Sequence, residues 1–100
     1  MPISASSFDE EIETWLEILR VPAVAEKRIR LIVEVLYHAL ESKANAVEYS
    51  DIQTSVQICK EAADIWTRLI YDYAPFNIAT QLQKYREDAL AMLKVLETAD

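Results

Sequence analysis

The chain has 100 residues, is 52% hydrophobic, carries a net charge of −7 and contains no glycine. That length holds one domain and one core, and the hydrophobic fraction is too high for disorder. The negative charge argues against nucleic acid or an anionic membrane as partner. The missing glycine excludes the glycine-dependent nucleotide loops and argues against a sheet protein, whose corners need positive φ.

Met1 to Ser7 holds no basic cluster and no apolar run, so no signal peptide is expected there. Residues 1–6 are expected as a flexible N-terminus and 7–100 as one helical domain. Ser7 followed by Glu10 is a capping-box pattern, and Asp9 and Glu10 suit the positive end of a helix dipole. Phe8, Ile12, Trp15 and Leu19 fall on one stripe, which predicts a first helix ending near Arg20.

Pro22 suits the first turn of a second helix. Its apolar face carries Ala25, Ile29, Ile32, Leu36 and Ala39, flanked by Val33, Leu40 and Ala44. Fraying is expected between Ser42 and Glu48, with Asn45 as a left-handed cap. Ser50 and Gln53 form a second capping-box pattern.

The third helix is predicted from about Asp51 to Tyr73. Its seam runs through Ile52, Val56, Cys59, Ala63, Trp66, Ile70 and Tyr73, and Pro75 stops it. A fourth helix repeats the rhythm at Ile78, Leu82, Tyr85, Ala89, Met92, Leu96 and Ala99. Three unbroken heptads in each of two helices joined by a short corner predict an antiparallel hairpin. The expected fold is all-α, a compact antiparallel up-down four-helix bundle. A second stripe on helix three, Ile58, Ala62, Ile65 and Leu69, with Leu90 and Leu93 on helix four, widens the apolar arc. In a four-helix bundle that arc would touch two neighbours; the other reading is that part of it closes a homodimer that completes the bundle, which is expected at micromolar concentration.

Three constellations could carry chemistry. His38 is the only histidine, and it lies off the Ile29/Ile32/Leu36 seam, so its ring is expected to be accessible. The stretch His38-Ala-Leu-Glu-Ser-Lys resembles the phosphoacceptor helix of histidine-phosphotransfer domains, which are also small four-helix bundles. The resemblance implies His38 as phosphoacceptor. Glu41 stands where that motif has lysine and Ser42 where it has glycine, and Glu34 and Glu41 would repel a phosphoryl group. The second constellation is Asp9, Glu10 and Glu13 on helix one with Glu61 and Asp64 on helix three. It resembles the paired acidic motifs of all-helical nucleotide pyrophosphohydrolases. That resemblance implies a magnesium-dependent nucleotide hydrolase, carboxylate oxygens being suitable ligands for that cation. The third is the basic run Lys27-Arg28-Ile29-Arg30, suited to pairing with Glu26, Glu34 or an acidic helix of a partner. Cys59 lies on the apolar seam and reads as a small core residue. A single cysteine makes no internal disulfide, and a reducing, cytoplasmic compartment is the expectation.

The aromatics are more suggestive. Trp15 and Trp66 sit on their seams and read as core. Tyr71 instead shares a face with Gln57, Asp64 and Arg68, and it clusters with Tyr73 and Phe76 at the corner after helix three; Tyr37 also lies off its seam. Aromatics on polar faces are enriched at protein interfaces. The expected function is a small, acidic, non-catalytic protein–protein interaction module: an adaptor, regulator or accessory subunit. Tyr71, Tyr73, Phe76 and Tyr37 are its candidate contact residues, with no cofactor, no metal, no nucleic acid and no membrane expected. The alternatives are phosphotransfer through His38 and acidic-residue metal-dependent hydrolysis.

Overall fold

The computed structural model describes the backbone of residues 5–46 and 51–98, with side chains from Phe8 onward. The fold is all-α. The described residues form four α-helices, α1 (Ala5–Leu19), α2 (Pro22–Ala46), α3 (Ile52–Asp72) and α4 (Ala79–Thr98), with a 3₁₀ turn at Ala74–Phe76. The chain divides into two compact units, Met1–Ala46 and Val47–Asp100. Each is a helical hairpin.

In the first hairpin the connection is only Arg20 and Val21, after which Pro22 opens α2 with its φ preset for a helix. The amide of Ala25 bonds the carbonyl of Val21 at 3.0 Å, so α2 starts without a loop. Phe8, Ile12 and Leu19 of α1 are buried, as are Ala25, Ile29, Ile32, Val33, Leu36, Ala39 and Leu40 of α2. These are the predicted seam and most of its flank. Burying each large aliphatic side chain contributes about 1.5–3 kcal/mol. Trp15 is half-buried. Lys43, near the end of α2, reaches Asp9, near the start of α1, so the helices run in opposite directions.

Two details depart from expectation. α1 begins at Ala5, so Ala5 and Ser6 are helical where a flexible segment was expected; alanine is the best helix former, and helix ends shift by a residue or two. α2 continues through Asn45 to Ala46, so Asn45 is no left-handed cap. Alanines on both sides favour continuing the helix over stopping it.

In the second hairpin α3 is capped by Asp51. Its carboxylate accepts from the Thr54 amide at 3.1 Å and from the Thr54 hydroxyl at 2.7 Å. The expected cap, Ser50, lies outside the described residues. Ile58, Cys59, Ala62, Ala63, Ile65, Trp66 and Leu69 of α3 are all buried. The flanking stripe is more fully buried than the seam, where Ile52 is exposed and Val56, Ile70 and Tyr73 are half-buried. On α4, Leu93 of the same arc is half-buried and Leu90 exposed. Trp66 meets Tyr85 of α4 with ring centroids 5.0 Å apart. Next to it, Arg86 Nε donates to Thr67 Oγ1 at 2.8 Å.

Helix α4 is the least buried of the four relative to its pattern. Ile78, just before it, and Leu82 are buried, but Met92 is 53% exposed where the heptad count put it on the seam. A straight helix drifts by about 20° per heptad, and two heptads separate Ile78 from Met92. Leu90 and Val95 are exposed as well.

Candidate interaction surface

The corner between α3 and α4 is built by chain termination. Pro75 cannot continue a helix, so the backbone tightens into the 3₁₀ turn. The Tyr73 amide bonds the Leu69 carbonyl at 2.9 Å and the Phe76 amide bonds the Tyr73 carbonyl at 3.0 Å. Asn77 then adopts the left-handed conformation, φ 57° and ψ 43°, the one positive φ among the described residues. Asparagine tolerates that region better than most residues, and here it does the work of the missing glycine.

Tyr71 stands on this corner 85% exposed, the most exposed large hydrophobic residue described. The cause is helical geometry. Leu69 is buried, and two residues on at about 100° per residue the side chain points away from the core. Tyr71 makes no hydrogen bond or ring contact among the described residues. Tyr73 and Phe76 are half-buried and pack on each other, with centroids 5.7 Å apart at 57°. Tyr37 lies apart from this cluster, on α2, half-buried with its ring edge-on to His38 at 5.8 Å.

His38 is exposed, its side chain 64% accessible, as its position off the seam implied. Glu34 lies 4.0 Å from Nε2 and Glu41 lies 4.0 Å from Nδ1. Each ring nitrogen therefore has a carboxylate near it. Lys27, Arg28 and Arg30 are exposed. Cys59 is buried, and burial pushes its thiol above the ordinary range, which suits a core residue. Glu61 is half-buried and Asp64 exposed, one turn apart on α3. Among the described residues no group of three or more His, Cys, Asp or Glu is gathered around a common point that could hold a metal.

A shallow groove of about 690 Å³ lies at the other end of the second hairpin, where Ile52 and Val56 of α3 meet Leu96 and Glu97 of α4. Its remaining lining is Gln53, Thr54 and Gln57. The heptad count missed the exposed outer side of α4. The available signal was the run of charges there, Lys84, Glu87, Lys94 and Glu97, which marks a solvent-facing stripe.

No helix among the described residues is long and apolar enough to cross a membrane. Set against known proteins, the chain matches no protein-family model, no curated protein and no solved structure.

Proposed function

We propose that the protein is a non-catalytic interaction module, an adaptor, regulator or accessory subunit, that grips a protein partner through the Tyr71 corner. The observation that carries this is the 85% exposure of a large aromatic side chain at the end of α3. Tyrosine loses little side-chain entropy on ordering and offers both a ring face and a hydroxyl, so it is a common interface anchor. Because Tyr73 and Phe76 are packed together and Asn77 fixes the turn, the anchor is presented with little reorganisation. A cytoplasmic setting suits a chain with a single, buried cysteine and so no internal disulfide.

Phosphotransfer through His38 has its exposure in favour. The two glutamates 4.0 Å from the ring nitrogens would place negative charge where a phosphoryl group must sit. Metal-dependent hydrolysis would need carboxylates that converge on one point.

The test is partner capture by wild-type and Tyr71→Ala protein, quantified on whichever protein the wild type retains. Loss of an anchor costs about 2 kcal/mol or more, roughly thirtyfold in affinity. Equal capture by both proteins would rule out the corner as the contact.

A further inference from the structure

We propose that the outer face of α4 pairs with the same face of a second copy of this chain, antiparallel, about a two-fold axis passing between Leu90 and Ala91. Charges of opposite sign alternate along that face. Lys84, Glu87, Lys94 and Glu97 are all exposed, and so are Leu90 and Ala91 between them. Steps of three and four residues keep them on one side of the helix. The signs run plus, minus, centre, plus, minus. Reversing the helix against a copy of itself sets residue 84 opposite 97, 87 opposite 94 and 90 opposite 91. Every charge then faces its opposite, four pairs in all by symmetry. A parallel, in-register pairing would set each charge against its own sign. Among the described residues, none of these four groups makes an ion pair within its own chain, so all are available.

This self-contact rests on the reading of the chain as a contact module but uses a surface separate from the Tyr71 corner. Exposed ion pairs contribute little affinity individually; their role here is orientation and register. Leu90 and Ala91 form the water-excluding centre, with Ala91 allowing close approach. The paired stretch is only about 20 Å long. The contact is therefore small, and the dimer should be weak, with a dissociation constant between about 10 μM and 1 mM.

Sedimentation equilibrium across that range tests the pairing. Wild type should show a reversible monomer–dimer equilibrium that weakens with added salt. Lys94→Glu and Glu87→Lys should each weaken it by about tenfold or more, because each sets like charges face to face. The double variant Glu87→Lys/Lys94→Glu, which restores opposite signs in the antiparallel register, should recover the wild-type constant to within about threefold. All of these positions are exposed, so unchanged helical circular dichroism is expected throughout. A wild-type monomer at about 1 mM overturns the proposal. So does a dimer indifferent to the single variants, or a double variant that stays dissociated. Tyr71→Ala should leave the dimer intact. A monomer that still captures a partner through Tyr71 would remove the pairing and leave the proposed function standing.

Discussion

Lys43 Nζ lies 2.6 Å from the Asp9 Oδ1 atom, joining residues 34 positions apart. The lysine side chain is 8% exposed and the aspartate 52%. The bond closes the open end of the first hairpin, far from the Arg20–Val21 connection. The Lys43 side chain is buried along its length, with Leu40 and Ala39 nearby in sequence, and its ammonium group meets the half-exposed carboxylate of Asp9.

Asp9→Ala should therefore cost about 1–2 kcal/mol of stability, since it removes a short charge-assisted bond to a buried ammonium group. Glu13→Ala, an exposed acid on the same helix, should change it by less than about 0.5 kcal/mol. Urea melts followed by circular dichroism compare the two. Equal losses would mean that the pair does not hold the hairpin closed.

Trp66 is 1% exposed and packs on Tyr85. Trp66→Ala should cost about 3–5 kcal/mol, a large part of a typical total of roughly 5–15. Chemical denaturation gives the value directly. A loss under about 1 kcal/mol would contradict the packing described for the second hairpin.

The Asp51 cap should titrate. Its carboxylate accepts two bonds from Thr54, side chain first and backbone second, and they hold it below the ordinary carboxylate range. The folded value is depressed, so the unfolded chain binds the proton more readily. The cap's contribution is thus complete above the unfolded value, near 3.9 by about a unit, and is lost as pH falls through the folded one. The Thr54 amide proton, followed by NMR, should report a midpoint below that of an ordinary aspartate. A midpoint at or above it would mean that the cap is not formed.

The elements of the fold were legible because their signals are local. Pro22 and Pro75 punctuate the chain, and the three-four spacing gives the buried faces of α2 and α3. Finer features depended on competition between neighbours. Asn45 and Asn77 are both asparagines that could end a helix, yet only Asn77 turns left-handed, because Pro75 has already broken the helix two residues earlier. Met92 fell on a formal heptad but rotates out of the core as a straight helix drifts. The exposure of Tyr71 was readable from its place among Gln57, Asp64 and Arg68. The ring pair of Tyr73 and Phe76 was not, since it depends on how the turn closes.

Tyr71 and its neighbours should separate cleanly in stability. Tyr71→Ala should shift the urea midpoint hardly at all, within about 0.5 kcal/mol. Phe76→Ala, which removes half of a packed aromatic pair, should cost about 1 kcal/mol or more. If Tyr71→Ala is the more damaging of the two, the tyrosine is part of the fold and not an anchor held in reserve.

The claim that the corner is a docking site is tested most directly by a photo-crosslinking amino acid placed at position 71 and, as a control, at the exposed position 26 on α2. Irradiation in the native host should trap one defined protein from position 71 and none from position 26. The same adduct should persist in a background of Glu61→Gln with Asp64→Asn, since neither carboxylate takes part in the contact. No adduct from position 71, or an activity with magnesium and a nucleotide that vanishes with the Glu61/Asp64 pair, would contradict the account.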